Sequence, residues 1–345
     1  MRRKGRINRR LLGLVLILIT AVPAFRCSDS DRSVVIYTSV DQHYSEPILK
    51  EFQAKTGIQV RPVFDVEAAK TTGLVNRLIA EQHRPQTDVF WNGEFAQTIL
   101  LKKKDVLAPY NSPSAQEIPP EYRDPDHYWT GFAARARILI VNTDHLLPED
   151  YPASIFDLLS SRWPGERIGI AYPLFGTTAT HAAAIYAAVG RTKAKAFFED
   201  LHSRKVSVVN GNSVVRDLVS SGQLMMGLTD TDDACGAISK GAPVEIVFLD
   251  QKQGGLGTLL IPNTVALIKN APHPIEARIL IDFLLSDEVA KKLVASGWSH
   301  IPLRPIGVQP GCLKASNVKG MNLSFSDVYG QLQQVKKELT AIFIR

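Results

Sequence analysis

Three carboxylates fall within four residues at Asp230, Asp232 and Asp233, directly after the apolar run Leu224-Met225-Met226-Gly227-Leu228. A run of that length, opened by Ser-Gly-Gln and closed by polar residues, reads as a buried parallel strand over 223–228 ending in a loop. Ligands of open α/β sheets sit outside the carboxyl ends of the strands, so Thr229-Asp230-Thr231-Asp232-Asp233 stands where a ligand would bind. Its chemistry suits a cation, an amine or a polyhydroxyl group. The alternative is a cap, with Thr229 or Asp230 opening the helix that follows. A cap uses one carboxylate; three need a counterpart, because a buried unpaired charge is costly.

Complementary chemistry lies upstream. Phe175-Gly176-Thr177-Thr178 opens an alanine-rich helix, and Asn212 and Ser213, within Asn-Gly-Asn-Ser, open another. Backbone N–H groups and hydroxyls at a helix N-terminus attract anions. Taken singly, each turn reads first as an ordinary N-cap. Arg135 and Arg137 stand two apart on an extended run and so share a face. Each either reaches an anion or forms a surface or interlobe salt bridge. Thr38, Ser39 and Asp41 follow the first strand, and Asn92, Gly93 and Glu94 the third, again at strand ends. Lys70, Thr71 and Thr72 at the head of the second helix add donors, and Trp91 is either a cleft wall or core. Helix ends on one side and carboxylates on the other would take a ligand with a negative end and a positive or hydroxyl-rich end. A metal–anion pair, a sugar phosphate and an aminoalkylphosphonate all meet that description.

An enzyme would use the same acids differently. Asp230, Asp232 and Asp233 with Glu94 could hold divalent ions for phosphate-ester hydrolysis. The eight histidines, at 43, 83, 127, 145, 181, 202, 273 and 300, form no HxH or HExxH pattern, and no GxSxG elbow or P-loop appears. His181 and His300 have no obvious partner. Hydrolysis is the weaker reading.

The elements that must position these groups alternate. Strands are expected over 33–38, 58–64 and 87–91, with helices over 45–55 and 68–82 between them. The first helix carries Ile48, Leu49 and Phe52 on one face and stops at Gly57. This βαβαβ order implies a parallel doubly wound sheet. Short strands over 167–171, 206–209 and 223–228, with helices over 178–188 and 214–220, build a second lobe. Extended segments over 136–142 and 257–268 are candidates for crossing between lobes. Helices over 274–285 and 287–296 return to the first lobe, and 326–342 packs outside. The expected division is 33–135 plus about 262–310 for the first α/β lobe, 136–261 for the second, and 311–345 as a C-terminal helical segment.

The N-terminus reads as an export signal. Six basic residues and no acid in 1–10 precede an apolar stretch over 11–25, too short and wrongly flanked for a spanning helix. A signal peptide over 1–26 and a tether over 27–32 follow, with Cys27 either lipidated or plain, since Arg26 is a poor neighbour for lipidation. Residues 1–26 hold seven of the 40 Lys and Arg and none of the 34 Asp and Glu. The rest of the chain therefore carries 33 basic against 34 acidic residues, a balance that argues against nucleic-acid binding. Cys235 and Cys312 read equally as a disulfide of an oxidising compartment or as two separate thiols.

The stretch VVIYTSVDQHYSEPILKEFQAKTGIQV, TDVFWNGE followed by LAPY, the hinge-like ARARILIVNTD and the late IPLRP together resemble bacterial extracellular solute-binding proteins, and within them the ferric-ion-binding branch. The resemblance spans nearly all of the chain beyond the signal. It implies a type II periplasmic-binding fold: two doubly wound α/β lobes joined by a two-strand hinge, closing on a ligand. It also implies a monomer delivering iron(III) with a synergistic anion to an ABC permease and its ATPase. The location would be the periplasm or the outer face of the cytoplasmic membrane, with membrane attachment only through a lipid on Cys27. A sensory partner in place of the permease is the other reading. In that branch adjacent tyrosines bind iron where this chain has Thr231 and Asp232. The histidine of some members falls at Asp41, and a carboxylate position falls at Gly93 beside Glu94. The tyrosinate site is thus absent, and a metal would have to rely on Asp232 and Asp233. The anion turn matches at Gly176, Thr177 and Thr178, with Asn212 and Ser213 as its companion.

Overall fold

Two sets of three parallel strands flank a pair of long antiparallel ones. The computed structural model describes residues 32–65, 72–174, 176–297, 301–308, 311–313 and 318–344. The signal peptide, Cys27, Lys70, Thr71, Phe175 and His300 lie outside the described residues, as does the side chain of Thr72.

The first half runs β1 (Ser33–Thr38), α1 (Gln42–Thr56), β2 (Gln59–Phe64), α2 (Thr72–Ala80), β3 (Val89–Asn92), α3 (Ala96–Lys103) and β4 (Leu107–Ala108). Then β5 (Thr130–Asn142) leads to β6 (Ile168–Ala171), α4 (Gly176–Val189), α5 (Arg191–Ser203), β7 (Ser207–Val209), α6 (Asn212–Ser220), β8 (Met226–Asp230), α7 (Thr231–Ser239) and β9 (Val244–Val247). The chain returns through β10 (Leu260–Ile268), α8 (Pro274–Leu284) and α9 (Asp287–Ala295) and ends in α10 (Phe325–Phe343).

Strand order is β2-β1-β3-β10-β5-β8-β6-β7, with β4 on β10 and β9 on β5. The triplets β2-β1-β3 and β7-β6-β8 are parallel, as the alternation of helix and strand demands, but β10 and β5 run antiparallel to their neighbours. The sheet is therefore mixed. β5 is the element that spans it: up to Ala136 it pairs with β10, and from Arg137 onward with β8. A bulge opposite Pro262 and Asn263 puts Ala133 at φ +47, and the Asn263 amide donates to its carbonyl at 3.0 Å.

Local chemistry explains most boundaries. α1 buries Ile48, Leu49 and Phe52 against the sheet, and Gly57, at φ +70, donates its N–H to Gln53 O to end it. It begins at Gln42 rather than 45, because the Asp41 carbonyl accepts the N–H groups of Tyr44 and Ser45. α4 is buried around most of its circumference, covered by α5 and α10, so its alanines need no polar face. β8 starts three residues later than the strand expected over 223–228, since Leu224 N–H is taken by the Leu218 carbonyl at the close of α6. It also extends to Asp230, and α7 begins at the next residue. The loop expected over 229–233 does not exist: register with β5 draws Thr229 and Asp230 into the strand. Cys235 and Cys312 are joined as a disulfide, tying α7 to the segment before α10.

Candidate functional site

The site forms where β8 passes directly into α7. Asp230 is the last strand residue, and Asp232 and Asp233 lie in the first turn of the helix, where negative charge suits the helix dipole. One carboxylate oxygen from each of the three lies within 4.8 Å of the others. Among the described residues this is the only group of three or more His, Cys, Asp or Glu brought so close.

Asp230 occupies the N-cap position of α7 but makes no capping bond. Its carboxylate turns the other way. Oδ1 accepts from Arg137 Nη1 at 2.8 Å; Oδ2 accepts from Thr177 Oγ1 at 2.7 Å and from Asn212 Nδ2 at 3.2 Å. Arg137 Nη1 also reaches Asn212 Oδ1 at 3.0 Å and Thr177 Oγ1 at 3.3 Å, and Thr178 Oγ1 donates to Asn212 Oδ1 at 3.1 Å. The arrangement expected from sequence, helix ends opposite carboxylates, is therefore corrected: helix ends and Asp230 touch. The physical reason is topological. α4 follows β6, α6 follows β7 and α7 follows β8, and these three strands are parallel neighbours, so all three helices start at one edge.

Asp232 pairs with Arg135 Nη1 at 3.3 Å, and its Oδ1 is buried with no hydrogen-bond partner. Asp233 pairs with Arg216 Nη1 at 3.2 Å and lies 3.1 Å from Thr229 Oγ1. Burial pushes Asp230 up, but Arg137, Arg135 and the Thr177 hydroxyl outweigh it and hold its carboxyl below the usual range. Burial and the neighbouring Asp230 push Asp232 up against the pull of Arg135. Asp233 is pushed up to about 7 by burial, then by Asp232 and Asp230. His181, inside α4, is held near 3 by burial and by Arg137, and stays neutral.

Arg135 also donates from Nη2 to the Gly93 carbonyl at 3.0 Å, linking α7 to the end of β3. Both arginines thus face the acids, as their spacing on β5 requires, with the Arg137 side chain wholly buried.

The first-half residues are brought to the same edge, but their side chains are used locally. Ser39 Oγ donates to Asn92 Oδ1 at 2.6 Å and accepts from Gly93 N, stitching β1 to β3. Thr38 Oγ1 accepts from Val40 N at 3.1 Å. Asn92 Nδ2 binds the Glu94 carbonyl, and the Glu94 carboxylate accepts the N–H groups of Ala96 and Gln97 at the head of α3. Glu94 therefore caps a helix and does not join the acidic group. Trp91 is core, buried against Phe132. Ser213 is exposed, and Gly176 sits at φ +55 with open space where a Cβ would be. Two residues were missed. Arg216, one turn into α6, compensates Asp233; Tyr44, in the first turn of α1, has its phenol pushed up by burial, Asp232 and Asp41. Only the basic character of Arg216 on a helix beginning at Asn212 hinted at the first.

Residues 85–321 match the family described as bacterial extracellular solute-binding protein, and the chain belongs to that family. It is 25% identical over 281 residues to iron uptake protein A1 of Synechocystis, covering 78% of this chain and 75% of the relative. It is 26% identical over 258 residues to a putative 2-aminoethylphosphonate-binding periplasmic protein of Salmonella typhimurium, covering 73% and 72%. The solved ferric binding protein from Campylobacter jejuni superposes with a TM-score of 0.80 over 90% of this chain and 99% of that one; at 22% identity this likeness establishes the type II two-lobed fold.

Proposed function

We propose that this chain is the extracytoplasmic binding subunit of an ABC importer and carries an iron(III)–anion or related metal–anion complex to its permease and ATPase. The observation that carries this reading is the convergence of the Asp230, Asp232 and Asp233 carboxylates within 4.8 Å, with Asp232 Oδ1 buried and unpartnered. Carboxylate oxygens are hard ligands suited to a hard cation, and the resemblance puts Asp232 where one of the two iron-binding tyrosines would stand. The resemblance to an iron uptake protein supports the choice of metal. The protein acts by binding and release: β5, continuous through both halves, and Arg135, bonded to both, suit a hinge that closes on cargo. Export to the periplasm or the outer face of the cytoplasmic membrane accords with the family and with a disulfide.

A small phosphonate or phosphorylated solute is the second reading. It is favoured by the meeting of Arg137, Thr177 and Asn212 where α4 and α6 begin, and by the aminoethylphosphonate-binding relative. Thermal melts separate the two. Stabilisation by iron(III) with citrate, lost in Asp232→Asn/Asp233→Asn, supports the metal reading. Stabilisation by 2-aminoethylphosphonate in the presence of a chelator, with none by iron, replaces it with the second.

A further inference from the structure

We infer that Asp230 is a resident anion: the protein fills its own oxyanion position with a side chain, so the cation it carries binds without an anion from solution. This rests on the metal half of the reading above and gives the part of the solution anion to Asp230.

Thr177 is the second residue of α4 and Asn212 the first of α6, so two helix N-termini present their donors at one point. The group found there is the Asp230 carboxylate, held by Thr177 Oγ1 at 2.7 Å, Arg137 Nη1 at 2.8 Å and Asn212 Nδ2 at 3.2 Å, with Arg135 Nη1 at 3.7 Å. Asp230 is only 2% exposed, and nothing in its own helix claims it. An incoming oxyanion would meet a like charge already seated on the same donors. Arg137 offers no other open edge, since Nε and Nη2 are sealed from solvent.

The remaining acids are disposed differently. Asp232 Oδ1 is the one buried carboxylate oxygen of the cluster without a partner, and Asp233 shares only Arg216 and a hydroxyl. Division of labour follows. Asp230 neutralises Arg137 and the helix ends, while Asp232 and Asp233 meet the cation. Cargo on this account is a hard cation taken up bare or stripped of its carrier anion.

Terbium(III) chloride, a hard trivalent probe whose emission is sensitised by Tyr and Trp, tests this in buffer free of carbonate and phosphate. The wild-type chain is expected to bind terbium there, with affinity changed less than about twofold by added formate or bicarbonate. Asp230→Gly is expected to lose about tenfold or more and to be restored by formate, which fits the vacated space. Asp230→Asn keeps the shape without the charge and is expected to weaken without rescue. Wild-type binding tightened about tenfold by formate or bicarbonate would overturn the resident anion and leave the cation reading standing. Absence of terbium binding in every condition would overturn both. Should Asp230→Gly fail to fold, the wild-type comparison decides alone.

Discussion

The Thr177 hydroxyl donates to the Asp230 carboxylate at 2.7 Å, across 53 residues of chain. It fastens the head of α4 to the end of β8. Thr177→Val keeps the shape and removes the donor. Loss of one bond to a buried charge should cost about 1–3 kcal/mol. Urea unfolding of the variant measures it; an unchanged midpoint would show that Arg137 and Asn212 suffice.

Arg135 is the contact that joins Asp232 to the Gly93 carbonyl. Arg135→Ala should release α7 from the end of β3 and leave the acids less compensated. The cargo-free variant should therefore scatter X-rays as a more extended particle than the wild type. Superimposable profiles would remove Arg135 from any account of closure.

Asp233 gives a pH signature. Its carboxyl is raised from 3.8 to about 7, so across that window the folded chain holds a proton that the unfolded chain has lost. Its contribution to stability is fully present below the unfolded value and is lost as pH rises through the folded one. Asp233→Asn should flatten the decline in cargo-free stability between these pH values. On the metal reading proposed above, a cation at Asp233 would expel the same proton, so affinity should rise with pH over the same range. Denaturant midpoints across the window, wild type against variant, check the first expectation; parallel curves would contradict it.

The disulfide closes a separation of 77 residues between α7 and the segment before α10. Loop-closure entropy for that length is worth about 4 kcal/mol. Cys235→Ser or reduction should lower the melting temperature markedly, and Cys312→Ser should match it. Unequal effects of the two serine variants would mean that packing of one cysteine, rather than the bond, carries the stability.

Much of the architecture was legible in the chain because it is written locally. Period-two and period-3.6 patterns located β1, α1, β2, β3, α8, α9 and α10 to within a few residues, and alternation implied parallel triplets. α5 could have been found too, since Ala194, Phe197, Phe198 and Leu201 follow helical spacing. The acids, the two arginines and the helix-opening turns were all identified as residues that could do chemistry. Their partnership was not. Whether Asp230 faces a ligand, a helix end or Arg137 depends on which strands are neighbours and on where β8 becomes α7. Register with β5 sets that point. Glu94 shows the same limit from the other direction: its type and position suit a ligand, but α3 starts close enough to take its carboxylate as a cap. Sequence determines which groups exist and which edge of the sheet they reach, because spacing and periodicity are properties of the chain. Only the tertiary structure decides which donor satisfies which buried charge, because those pairs lie tens of residues apart and are chosen by strand order.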